Sequence, residues 1–142
     1  MIRIPAPKKS KYHAEPTIID GIRFASHKEA KYYLQLRQLQ RAGEVIEIEC
    51  QPVFGLIPAH RKCCGHIWLD KPSPGIKGAK VCGNCGKEMP KIPARTYRAD
   101  FRVTYSDGHE EIVDVKGVET ELFVFKKVFF EFKFPELTLK VI

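Results

Sequence analysis

No apolar run in the chain approaches the ~20 residues that a bilayer-spanning helix requires. A membrane-embedded helical protein is therefore not expected, and no membrane partner is expected. The opening Met1-Ile2-Arg3-Ile4-Pro5-Ala6-Pro7-Lys8-Lys9 has no apolar core of the secretory kind, so the expected location is cytoplasmic. Acidic residues are scarce: 17 Asp and Glu stand against 24 Lys and Arg, a net charge of +7. That imbalance points to a polyanionic partner, nucleic acid before any other. Five cysteines in a reducing compartment do not make a disulfide framework; they suit metal ligation or buried thiols. Internal repeats are absent. What is present is a chain of 142 residues with 44% apolar content, enough for one domain with a real core.

Residues 1–16 are rich in Pro and Lys and read as a flexible basic arm. Thr17–Ile19 and Ile22–Phe24 flank Asp20-Gly21, a strong hairpin signal. Ser26-His27-Lys28-Glu29 is a capping-box pattern opening a helix that runs to about Ala42, where Gly43 closes it. Short strands fit Val45–Glu49 and Val53–Ile57. Residues 59–95 change character: they hold all but one of the cysteines and half the glycines, with little apolar periodicity. They read as an insert held by a metal rather than by a core. Strands return at Tyr97–Tyr105 and His109–Lys116 around Ser106-Asp107-Gly108. Thr120 can cap a second helix over about Glu121–Lys133, on which Leu122, Phe125, Phe129 and Phe132 fall at helical spacing. Leu137–Val141 reads as a last strand. The core is thus expected from residues 17–58 and 96–142, with 59–95 inserted.

The second hairpin carries the candidate chemistry. With a three-residue loop and Gly108 left-handed, Tyr105 pairs with His109 and Asp100 falls opposite Asp114. Opposed side chains stand roughly 4.5–5.5 Å apart at Cβ, and two carboxylates that close call for a cation or a proton between them. A two-residue loop would instead turn the two acids apart. Lys116, two residues past Asp114, projects from the same face, while Val115 faces the other way. Asp114 sits in the apolar run Ile112–Val115, where a carboxylate needs a partner. Glu29 shares a helical face with Tyr32, Tyr33 and Leu36, which aims it inward; the same carboxylate can serve as a cap for Ser26.

The order of these parts resembles the PD-(D/E)XK nuclease superfamily: a helix bearing Glu29, strands, Asp100, then Asp114-Val115-Lys116, then a helix. The stretch before Asp100 lacks the Pro of the name motif. Asp20–Ala30, Gln51-Pro52-Val53-Phe54, Tyr97-Arg98-Ala99-Asp100-Phe101 and Asp114-Val115-Lys116-Gly117 together look like a phage branch of that superfamily. That branch is a domain family of unknown function (domain of unknown function 1064), similar in layout to phage endonuclease I, a Holliday junction resolvase, and to transposon-end nucleases. The resemblance covers about residues 10–58 and 96–142. It implies an α/β (α+β) restriction-endonuclease-like core, a central mixed β-sheet flanked by helices. It also implies hydrolysis of phosphodiester bonds in DNA, with Glu29, Asp100, Asp114 and Lys116 catalytic. Mg²⁺ (or Mn²⁺) would be held by Glu29, Asp100, Asp114 and the Val115 carbonyl, with Gln51 and Lys126 as accessory candidates. Branched DNA and a homodimer are the partners this layout suggests, in the host cytoplasm if the gene is carried by a phage.

The insert has its own signal. Cys82-Gly83-Asn84-Cys85-Gly86 has the C-x₂-C spacing of a zinc knuckle, with Gly86 permitting the turn. The completing pair comes from Cys63, Cys64 and His66, with His60 a further candidate. Cys63 and His66 have knuckle spacing, whereas Cys64-Gly65-His66 resembles the start of a zinc ribbon. Such closed sites are structural. Lys62, Lys71, Lys77, Lys80, Lys87 and Lys91 surround it and could meet a phosphate backbone. Cys50 stands apart as a buried thiol. Two further readings stay open: a non-catalytic zinc-ribbon module that binds DNA on a nuclease-like fold, and a nuclease acting on RNA.

Overall fold

A computed structural model describes residues 16–69, 81–116 and 118–142. The basic arm expected over residues 1–16, apart from Pro16, lies outside the described residues, as do Lys71, Lys77 and Lys80.

The chain enters through the hairpin of β1 (Thr17–Ile19) and β2 (Ile22–Phe24). Asp20 and Gly21 both take positive φ, 51° and 76°, as the tight turn between twisted strands demands. Helix α1 spans His27–Ala42. Ser26 Oγ accepts the Glu29 N–H at its start, and Gly43, at φ 80°, folds its own N–H back onto the last turn. Strands β3 (Val45–Cys50) and β4 (Val53–Ile57) follow, then a small hairpin of β5 (His60–Cys63) and β6 (His66–Leu69). The chain returns through β7 (Arg95–Arg98) and β8 (Phe101–Tyr105), and turns into β9 (Glu110–Asp114). Helix α2 (Glu121–Lys133), capped by Thr120 Oγ1, leads to β10 (Thr138–Val141).

The stretch expected as one strand over Tyr97–Tyr105 is broken at Ala99-Asp100. β3 pairs with β8 and β4 with β7, and the register is the same on both sides of the break: Cys50 opposite Phe101, Val53 opposite Arg98. These four strands therefore form one long antiparallel ribbon, bent where Gln51-Pro52 lies opposite Ala99-Asp100. Gln51 N–H to the Asp100 carbonyl (2.8 Å) and Ala99 N–H to the Pro52 carbonyl (3.2 Å) carry the ladder through the bend. Gln51 takes φ 55° there, and Pro52 offers no donor.

The central sheet runs β10-β9-β8-β3, with β10 parallel to β9 and the other pairs antiparallel. It is a mixed sheet served by two helices, a mixed α+β arrangement. One core joins α1 to the sheet through Phe24, Tyr33, Leu36, Phe101, Val103 and Val113. A second lies under α2, where Phe130 meets Leu56, Tyr97, Ala99 and Ile112.

Of the apolar stripe expected on α2, Phe129 packs against that core and the other three residues do not. Phe123 and Phe130 are buried, whereas Leu122, Phe125 and Phe132 are exposed and Phe129 is half-buried. Both stripes have helical spacing, and ring packing decides between them. Phe130 sits 4.9 Å from Phe54, 5.3 Å from Tyr97 and 5.2 Å from Phe134, centroid to centroid, an aromatic cluster only this face of the helix can enter.

Candidate functional site

The β8–β9 hairpin adopts the three-residue loop. Thr104 lies opposite Glu110 and Phe101 opposite Val113, Tyr105 N–H donates to the His109 carbonyl, and Gly108 takes φ 89°. Continued one step, this register sets Asp100 opposite Asp114, at the bend of the ribbon. Ile112, Val113 and Asp114 are wholly buried and Val115 nearly so. Val115 packs with the α1 core, while Asp114 and Lys116 share the opposite side, their charged atoms 2.6 Å apart.

Each carboxylate is held differently. Tyr97, itself buried, donates its hydroxyl to Asp114 Oδ2 at 2.5 Å. Asp114 Oδ1 is buried with no hydrogen-bond partner among the described residues. The Lys116 ammonium is within ion-pair distance of it, but not aligned as a hydrogen-bond donor. Asp100 Oδ2 accepts the Val115 N–H at 2.6 Å. Burial pushes the Asp100 carboxyl up to about 7; the Val115 hydrogen bond and Lys116 oppose this, and the negative charges of Asp114 and Glu29 reinforce it. Glu29 is buried at the start of α1 and accepts from Ala25 N–H and Ser26 Oγ, both at 3.0 Å. Glu29 thus completes the cap while its charge reaches Asp100. Lys28 Nζ donates to the Lys116 carbonyl at 3.0 Å, tying the start of α1 to the segment after β9.

Beside Asp114 opens a cleft of about 640 Å³. Lys116 and Lys126 reach into it, along with Thr96 and Arg98 from β7 and Thr120 and Leu122 from the start of α2. Lys116 lies 5.2 Å from the Phe123 ring centroid, an amine resting on an aromatic face. Gln51 is at the bend: its backbone N–H holds the Asp100 carbonyl and its amide donates to the Arg23 carbonyl at 3.1 Å. Tyr97 is a site residue that sequence reasoning did not single out as such. Its signal was its place in the Tyr97–Phe101 segment, but only the bend turns it back toward Asp114.

A second site lies in the insert. Cys63, Cys64, Cys82 and Cys85 bring their sulfurs within 4.8 Å of one another. Three of the separations are 3.3, 3.7 and 3.9 Å. Four thiolates about 2.3 Å from one tetrahedral zinc would stand roughly 3.8 Å apart, so the cluster can hold a metal such as zinc. Both adjacent cysteines belong to it because Cys64, at φ 50°, and Gly65, at φ 76°, form the two-residue turn between β5 and β6. His66 and His60 are not in this group; their Nδ1 atoms lie against the Cys64 and Pro58 carbonyls. Hydrogen bonds from the backbone N–H groups of Cys85 and Asn84 draw the Cys82 thiol down to about 6, the environment of a thiolate ligand. Gly86 N–H closes the knuckle on the Cys82 carbonyl at 2.8 Å. Cys50, half-buried beside the α1 core, stands apart, and burial raises its pKa.

The fold and these two sites define a mixed α+β domain with a buried acidic corner at an open cleft and a four-cysteine unit able to bind metal. The chain belongs to a family described as a protein of unknown function (DUF1064), whose model matches residues 9–142. That span includes residues 59–95, so the insert lies within the matched family region rather than outside it. No curated protein and no solved structure matches the chain. Among the described residues no helix is long and apolar enough to cross a membrane.

Proposed function

We propose that this chain is a Mg²⁺-dependent endonuclease that hydrolyses phosphodiester bonds in DNA, on a restriction-endonuclease-like core of the PD-(D/E)XK type. One observation carries the reading: Asp100 and Asp114 converge at a bend, and Asp114 Oδ1 is buried without a hydrogen bond. Asp100, whose ionisation the charges of Asp114 and Glu29 oppose, beside a buried Asp114 oxygen that has the Lys116 ammonium at 2.6 Å but no hydrogen bond, fits a hard divalent cation. Glu29, Asp100 and Asp114, with the Val115 carbonyl, would hold Mg²⁺ or Mn²⁺. When bound, the ion neutralises charge on the phosphate and makes water a stronger acid.

The other tasks fall to the chain itself. Tyr97 fixes Asp114 through Oδ2; Oδ1, ion-paired with Lys116 at 2.6 Å, would also meet the cation. Lys116, at the cleft beside Asp114, orients the attacking water or stabilises the charge of the phosphorane. Lys126 and Arg98, which both line the cleft, would receive phosphates beside the scissile one. Structural zinc in the four-cysteine unit would tie the β5–β6 turn to the Cys82–Cys85 knuckle. Branched DNA such as a four-way junction is the substrate class to test first, because the order of the parts is similar to that of phage endonuclease I.

The test incubates zinc-loaded protein with a labelled four-way junction, a linear duplex and a single strand, with and without Mg²⁺. Mg²⁺-dependent cutting is expected, and Asp114→Asn should abolish it while DNA binding and fold persist. Cutting by Asp114→Asn at the native rate would overturn the site assignment. Binding without cutting, in Mg²⁺ and again in Mn²⁺, would replace the enzyme with a DNA-binding module.

A further inference from the structure

We infer that the exposed face of α2 is the surface on which two copies of this chain pair. Leu122, Phe125, Val128 and Phe132 are 64%, 65%, 60% and 85% exposed, an unusual cost for a helix whose other side already fills a core. Leu122, Phe125, Phe129 and Phe132 are spaced three, four and three residues apart. That is the a/d seam through which one helix packs against another, not the broader stripe of a helix lying on a sheet.

The partner follows from chemistry and area. None of Leu122, Phe125, Phe129 and Phe132 is charged, and Lys126 and Lys127, which lie between them along the chain, are half-buried, so a phosphate backbone gains little on the seam itself. The rest of the helix mixes Glu121 and Glu131 with Lys126, Lys127 and Lys133, unlike the uniformly basic polar face of a helix that lies on an anionic bilayer. The exposed side chains amount to on the order of 500 Å² of apolar surface, near the largest patch a monomer tolerates. Two such patches face to face reach roughly 1,000 Å², the floor of a specific interface. One seam meeting its own copy about a two-fold axis satisfies both at once. Leu122 belongs both to this seam and to the wall of the cleft. Pairing therefore sets the second chain at the cleft rim and brings the two clefts of a dimer near the shared axis. The pairing does not depend on the chemistry of the cleft.

Sedimentation equilibrium of the zinc-loaded full chain, from micromolar to hundreds of micromolar, tests this without reference to activity. The native chain should sediment as a dimer. Phe125→Glu with Phe132→Glu should weaken association by about tenfold or more while the circular dichroism spectrum is unchanged. Phe132→Leu, which keeps the seam apolar, should remain dimeric. A native chain that stays monomeric throughout, or a double glutamate variant that stays dimeric, overturns the inference. So does a monomeric native chain that binds neutral or anionic phospholipid vesicles through the same phenylalanines.

Discussion

Replacing Asp100 by Asn should make the protein more stable without Mg²⁺, by an amount that is nil near pH 4, grows as the pH rises toward 7 and is constant above it. The substitution keeps the shape, and its amide oxygen can still accept the Val115 N–H that Asp100 Oδ2 accepts at 2.6 Å. What it removes is the charge. The Asp100 carboxyl is pushed from 3.8 to about 7, first by burial and then by Asp114 and Glu29. Between those values the folded chain holds a proton that the unfolded chain has released, so native stability falls as the pH rises through this window. Taken at face value the shift amounts to about 4 kcal/mol above the window; partial exposure of the group brings this nearer 2. Urea unfolding in zinc-replete, Mg²⁺-free buffer should therefore show Asn more stable than Asp by roughly 2 kcal/mol near pH 8 and about equal near pH 4. Adding Mg²⁺ should stabilise the native chain and leave the variant nearly unchanged. An Asn variant that is equally destabilised at both pH values would refute the electrostatic account of this corner.

Three other outcomes follow from the same geometry. Tyr97→Phe removes the only hydrogen bond to Asp114 Oδ2 among those described, and should cost about 1–3 kcal/mol of stability; it should also slow DNA cutting, which a rate assay beside the urea titration would separate from unfolding. Cys82→Ser combined with Cys85→Ser should drop bound zinc from about one ion per chain to none, read by elemental mass spectrometry, with faster proteolysis within residues 59–95; retention of the metal would exclude the four-cysteine site. Phe130→Ala should destabilise the fold by about 3–5 kcal/mol. Phe132→Ala, at a residue 85% exposed in one chain, should change the unfolding of dilute protein by no more than about 0.5 kcal/mol.

The parts of this molecule governed by short-range chemistry were legible in the sequence. Asp20-Gly21 has the backbone freedom of a tight turn, Ser26 and Gly43 bound α1, Thr120 begins α2, and Cys82-x₂-Cys85 forms a knuckle. Each of these depends on atoms within about five residues of one another, so residue type and spacing suffice. The opposition of Asp100 and Asp114 was legible too, because a three-residue loop sets a register that propagates along both strands.

Tertiary structure alone decided the rest. The bend at Gln51-Pro52 and Ala99-Asp100 arises where one ribbon serves two sheets, and it is what brings the Tyr97 hydroxyl to Asp114. Which stripe of α2 goes inward could not be read from periodicity, since both are apolar; the aromatic cluster around Phe130 chose one and left the other in water. Membership of both Cys63 and Cys64 in the cluster required the turn that separates their directions. Local rules set where elements start, stop and turn. Contacts between residues distant along the chain set which faces meet, and through them where Asp100, Asp114 and Lys116 come together.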